Sequence, residues 1–155
     1  MSQYANFFIK YDDTFIPISD FSTNSYIKNL VKGFAPWEKV RAMSVKDIND
    51  FRESARNDVI RFKKEKAMRE DLIKEVAQFN NSAEDKLEVI ENIRFDIKDY
   101  DEMIEEAVTG EYFFVFLDWL IDAVRYNEPL VKDIDKYIYV GIEIGSPTLE
   151  DIKDE

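Results

Sequence analysis

A chain of 155 residues is the size of one ordinary domain, and 45% hydrophobic content with 12 Phe, 8 Tyr and 2 Trp belongs to a folded protein, not an acidic disordered one. The absence of Cys rules out disulfides, thiolate nucleophiles and zinc–thiolate sites; the absence of His removes the commonest general base and transition-metal ligand, so most hydrolytic and metalloenzyme mechanisms are excluded or strained. The formal net charge of -12 is concentrated, residues 84–128 holding 14 Asp plus Glu against 4 Lys plus Arg, which makes a localised negative field able to steer basic partners.

The N-terminus, MSQYANFFIKYDD, has no basic region followed by a long apolar run, and the longest apolar stretch, Tyr112 to Leu117, ends at Asp118. Neither a signal peptide nor a membrane span is expected, which points to a cytoplasmic protein. Residues 4–11 and 14–18 are aromatic and β-branched runs separated by Asp12-Asp13, the pattern of a hairpin. Pro17 lacks a ladder donor and places the second strand at an edge.

A short helix is expected over about 23–32, with Ser22 as N-cap, Phe21 stapled against Tyr26, and Gly33 as a left-handed C-cap before Pro36. Residues 38–43 read either as a third short strand or as an extended connection. Ser44 and Asp47 then form a capping-box pattern, with Met43 and Ile48 at the staple positions, so a helix begins at Val45.

Nothing breaks that helix until about Phe79, and Ile48, Phe51, Ala55, Val59, Phe62, Ile73 and Val76 share one face. Asn80-Asn81 reads as a two-residue turn, and Ser82 with Asp85 repeats the capping pattern. The next helix carries Leu87, Ile90, Ile93, Ile97, Tyr100, Ile104 and Val108 on one face, so the two stripes are expected to pack as an antiparallel helical hairpin. In that register Lys66 and Arg69, which interrupt the first stripe, face Asp96 or Asp99.

Thr109-Gly110 suggests a break or kink. The segment EYFFVFLDWLIDAVRY that follows is apolar almost all round, with Glu111, Asp118, Asp122 and Arg125 on a narrow strip, and reads as a helix buried under the sheet, although its aromatic start also suits a strand. From Tyr137 to Ile144 the pattern alternates, with Ile138, Val140, Ile142 and Ile144 on a buried face and Tyr137, Tyr139 and Glu143 on the other. This strand is placed beside residues 4–11, giving the order second, first, C-terminal, and Ser146-Pro147 is read as starting a last helical turn.

Viewed opposite its Ile stripe, the second long helix presents Glu84, Glu88, Glu91, Phe95, Glu102 and Glu106 on one side at 100° per residue, with Asp99 close by. One reading is a contact surface for a basic groove, the carboxylates steering and Phe95 anchoring, in the extreme a nucleic-acid mimic. The competing reading is a solvated face with Phe95 covered by the 111–126 segment. The basic residues Arg61, Lys63, Lys64, Lys66 and Arg69 interleave with Glu65, Glu70 and Asp71, which suits intrahelical and cross-hairpin pairing and not direct nucleic-acid binding.

Asp118 with Asp122, and Asp133, Asp135 and Glu143, are carboxylates that could serve a hard cation, but no EF-hand, glycine-rich phosphate loop or HExxH motif accompanies them. Pairing of Asp118 and Asp122 with Arg125, or simple exposure, is the better reading. Trp37 and Trp119 read as core anchors. No metal or cofactor is called for, and the Ile stripes also allow a homo-oligomer.

These signals define an α+β chain, residues 1–155 as a single domain: a small antiparallel sheet of about three strands packed on helices, with residues 45–108 projecting as a helical hairpin. The expected function is non-enzymatic, an acidic inhibitor or adaptor engaging a protein with a basic surface, of the kind seen among phage-type inhibitors of host nucleic-acid-binding or defence proteins. The alternative is a structural component of a virion or another multi-subunit complex.

Overall fold

The computed structural model of the chain describes residues 5–18, 25–35, 39–126, 134–142 and 144–152. The side chains of 124–126 and 134–136 are not described. The elements run β1 (Ala5–Tyr11), β2 (Thr14–Pro17), α1 (Ser25–Val31), β3 (Val40–Met43), α2 (Val45–Ala77), α3 (Ala83–Tyr126) and β4 (Ile134–Ile142), then one 3-10 turn at Leu149–Asp151. The class is α+β, and the sheet has four antiparallel strands in the order β2-β1-β4-β3. The expected order of hairpin and C-terminal strand holds, with Pro17 on the edge. The fourth strand is β3, formed by the stretch that reads equally well as connection: Val40 and Met43 are buried, and the run pairs with β4 from Val40↔Gly141 to Met43↔Ile138. Four residues are too few for alternation alone to distinguish a strand from a linker.

The hairpin turn places Asp12 at φ 53, a left-handed conformation that Asp tolerates because its side chain is short and polar. No glycine among the described residues takes a positive φ, so Gly33 is not the left-handed cap expected of it. The end of α1 is instead closed by the Phe34 and Ala35 amides, both donating to the Val31 carbonyl at 2.9 and 3.0 Å. Ser22, Phe21 and Trp37 lie outside the described residues.

α2 starts on a complete capping box: the Asp47 amide donates to Ser44 Oγ at 3.1 Å and the Ser44 amide to Asp47 Oδ2 at 3.0 Å. Met43 and Ile48, the staple pair, are both fully buried. Its 33 residues span ~50 Å and end at Ala77, two residues before Phe79. The connection to α3 is five residues, 78–82, not two; the Ser82 hydroxyl accepts the Asp85 amide at 3.2 Å and opens the second helix.

The expected break at Thr109-Gly110 is absent. α3 is one helix of 44 residues, spanning ~66 Å. Gly110 is there for space: a Cβ would stand 2.9 Å from the Tyr26 ring, which crosses α3 at this point. Tyr26 is held in turn by the hydrogen bond it donates to Asp58 of α2, and Asp58 also pairs with Arg61 at 3.3 Å. A close crossing and a helix break leave the same residue in the sequence, and here the crossing is what the residue serves.

The main core lies between one face of the sheet and α1, the start of α2 and the last third of α3. Phe113 meets Phe7 edge-on at 4.7 Å, and Phe114 stacks on Phe51 at 5.5 Å. The alternation in β4 implies one buried face only, but Tyr139 is buried on the other, with Phe8, Phe15 and Val40. This second cluster is closed by the C-terminal segment: Ile144 and Ile152 pack on it, Ile152 bridges Val40, and Asn6 Nδ2 donates to the Ile144 carbonyl at 2.9 Å. Ile144 thus leaves the face assigned to it by alternation, because the strand ends at Ile142. A Cβ at Gly141 would overlap the Ile144 side chain, so glycine lets the segment fold over. The last turn begins not at Ser146-Pro147 but at Leu149, with Asp151 accepting the Thr148 amide at 2.8 Å.

A third cluster, Val59, Phe62 and Ala107 with Tyr100, Ile104 and Val108, ties α2 to α3 near the sheet. Farther out the hairpin is thinly packed: between Lys63 and Asp99 only Val76 and Ile93 are buried. Leu87, expected in the seam, is 54% exposed.

Candidate protein-interaction surface

The outer part of α3 sets the geometry of the acidic face. Its first turn holds Glu84 and Asp85, carboxylates that suit the positive end of the helix dipole. From there every member of the expected set is exposed: Glu84, Glu88, Glu91, Phe95, Asp99, Glu102 and Glu106. Because the helix is uninterrupted, they form a continuous ridge ~33 Å long. Of the α3 cations preceding Gly110, Lys86 falls on the far side and Arg94 off the ridge, while Lys98 stands on the ridge's edge beside Glu91 and one turn from Glu102, so the face is predominantly negative. Among the described residues, Glu84, Glu88, Glu91, Asp99 and Glu102 make no side-chain hydrogen bond or ion pair.

Phe95 is 68% exposed in the middle of this ridge. The 111–126 segment, which the sequence allows as a cover for it, continues α3 beyond Gly110 and does not fold back over the ring.

The opposite side of the hairpin neutralises its own charge. Lys66 pairs with Asp101 at 2.6 Å, not with Asp96 or Asp99, and the hydrogen bond to that carboxylate holds the ammonium above the ordinary lysine range. Arg69 stacks over the Tyr100 ring at 4.8 Å and donates to the Glu65 carbonyl at 3.3 Å. A hydrogen bond with the Glu65 carboxylate raises the Tyr100 phenol, with desolvation adding to it. The register implied by the stripes is close enough to bring the right regions together. The actual partners lie up to five residues away, since long side chains reach along the axis.

Burial, followed by the hydrogen bond and negative charge of Asp58, pushes the Tyr26 phenol well above the usual tyrosine range. This is a structural pair at the base of the hairpin. Asp118 is half-buried and Asp122 exposed, and among the described residues no cluster of three metal-ligating side chains occurs. Asp133, Asp135, Glu143 and Arg125, the remaining carboxylates and cation weighed as a site, lie outside the described residues or side chains.

Two further residues, on the last third of α3, depart from their sequence-based placement. Trp119 is not a core anchor but 61% exposed, and Tyr112 is 66% exposed on the same side of α3. The apolar run 111–126 suggests burial all round; only the side carrying Phe113, Phe114, Leu117 and Ile121 faces the core. Signal for the split exists in the helical angle between Phe113 and Trp119, but composition masks it. No helix among the described residues is long and apolar enough to cross a membrane. No protein-family model matches the chain, and no curated protein or solved structure matches it significantly.

Proposed function

We propose that the protein binds another macromolecule and acts as an acidic inhibitor or adaptor, with the α3 ridge laid against a basic protein surface. The observation that carries this reading is Phe95. A large apolar side chain held in water within a row of carboxylates loses nothing when a partner covers it and gains its transfer free energy, about 1.5–3 kcal/mol at full burial. The carboxylates would steer encounter, since clustered charge raises association rates more than it raises affinity. A long, predominantly negative row suits a groove that normally holds a nucleic-acid backbone, which favours a nuclease or other nucleic-acid-binding protein as target. No catalytic step is assigned.

A second reading, an assembly component, is favoured by a different observation. The outer half of the hairpin exposes Met68, Leu72, Phe79, Leu87 and Val89, an apolar surface suited to docking between neighbouring subunits.

An affinity capture from the native host separates the two. It compares the wild type with Glu88→Gln/Glu91→Gln/Glu102→Gln at low and high salt. The ridge reading expects a basic partner retained by the wild type at low salt and lost near 1 M, where the screening length falls to about 3 Å. The same partner should be lost with the triple variant, and Phe95→Ala should weaken it by roughly thirtyfold. Retention of structural proteins indifferent to salt and to all four substitutions would replace it with the assembly reading.

A further inference from the structure

The last third of α3 has an outer side that the core uses only in part. Phe113, Leu117 and Ile121 point at the sheet; nearly half a turn round the axis stand Tyr112 and Trp119, and Phe116, nearer the core, packs partly against it. Tyr112 and Trp119 are mostly in solvent, and the half-buried Phe116 ring stacks on Trp119 with centroids 5.9 Å apart at 29°. Scattered exposed apolar residues are ordinary, but three aromatics in one continuous stripe are not. Their spacing of four and then three residues is that of a coiled-coil seam, the pattern that receives the knobs of another helix.

The surroundings decide which helix. From Glu105 to Ala123, α3 carries no Lys or Arg, and of its five carboxylates Glu105 and Asp122 flank the stripe, the other three standing on other sides of the axis. Glu105 lies one heptad before Tyr112 on the same side, and the exposed Asp122 borders Trp119. A second copy fits badly, since a two-fold pairing would set this acidic rim against itself in a chain of net charge -12. A helix with Lys or Arg beside its apolar seam fits well: its cations meet the carboxylates, or lie over the exposed faces of Tyr112 and Trp119.

We propose that this face docks an amphipathic helix of a different protein, one whose apolar seam is flanked by Lys or Arg. The surface is distinct from the ridge, lying beyond Gly110 and on another side of the helix, so it stands or falls independently of the function proposed above.

The test uses the full chain with Trp37→Phe, which leaves Trp119 as the sole tryptophan. Synthetic helical peptides of about three heptads share one Leu/Ile seam and differ only in flanks, Lys/Arg or Glu. The basic peptide is expected to bind and shift Trp119 emission to the blue, while the acidic one does not. Tyr112→Ser/Trp119→Ser, followed by calorimetry, should cost more than about tenfold in affinity with the melting temperature unchanged. Glu105→Gln/Asp122→Asn, which leaves the aromatics in place, should narrow the preference between peptides. No binding of the basic peptide, equal binding of both, or a concentration-dependent dimer that Trp119→Ser dissociates would each overturn the proposal, the last by making a second copy the occupant. Should the double variant fail to fold, acrylamide quenching of Trp119 decides without it: protection by the basic peptide supports the proposal, and unchanged quenching at saturating peptide overturns it.

Discussion

Phe95 and Phe113 are the same residue on the same side of the same helix. They are 18 residues apart, five full turns of α3, yet Phe95 stands mostly in water while Phe113 is buried against Phe7 of the sheet. Asp99 and Leu117, also five turns apart, repeat the contrast. A single face of α3 is therefore acidic and solvated in the hairpin and apolar and packed over the sheet. Exposure along this helix is a property of what the helix passes, not of residue type or of angle alone.

The largest test of that contrast is to truncate both rings. Phe113→Ala should lose about 3–5 kcal/mol of unfolding free energy, from lost transfer and from the cavity left against Phe7 and Phe114. Phe95→Ala should change it by less than about 0.5 kcal/mol, since nothing covers the ring. Denaturant unfolding measures both, and a comparable loss at the two sites would mean that Phe95 is packed and the ridge lacks its anchor.

A smaller effect is expected at the point where the two regimes meet. Gly110→Ala gains helix propensity, about 1 kcal/mol, but its methyl must displace a Tyr26 ring held by Asp58. Overpacking typically costs about 1–3 kcal/mol, so a net loss of about 1 kcal/mol is expected. In a Tyr26→Ala background the same substitution should turn stabilising. A double-mutant cycle reads this change of sign directly, and additivity of the two substitutions would show that Tyr26 does not constrain the crossing.

The smallest effect is confined to alkaline pH. Because the Tyr26 phenol is raised in the folded protein, the stabilisation from its protonated form is complete below the ordinary tyrosine value of about 10 and declines as pH rises toward the higher folded value. In that window the unfolded chain releases a proton that the folded chain retains. Tyr26→Phe should therefore flatten the stability profile above about pH 10 while leaving its shape at neutral pH unchanged, as followed by thermal melts across pH. An unaltered alkaline slope would place the phenol in free solvent.

Local chemistry is legible wherever it is self-contained. Ser44 with Asp47, Ser82 before Asp85, the Asp12-Asp13 turn and the edge position of Pro17 all rest on a few neighbouring residues, and each forms as its pattern indicates. The exposed members of the ridge are legible too, because helical angle is set by spacing alone.

Roles that depend on distant partners are hidden from any local pattern. Gly110 resembles a helix break until Tyr26, 84 residues earlier, is seen against it. The strand at Val40–Met43 exists because β4, nearly a hundred residues later, supplies its ladder. Trp119 resembles a core residue until the angle of α3 over the sheet turns it outward.

The α+β class, the two long helices, their caps and the predominantly acidic ridge were therefore set by the amino-acid order, since all of them follow from periodicity and from hydrogen bonds within a few residues. That α3 runs unbroken, that both faces of the sheet are covered and that Tyr112 and Trp119 stay outside were set only when the elements packed. Helix continuity and burial are settled by which surfaces meet, and those surfaces come from residues far apart in the chain.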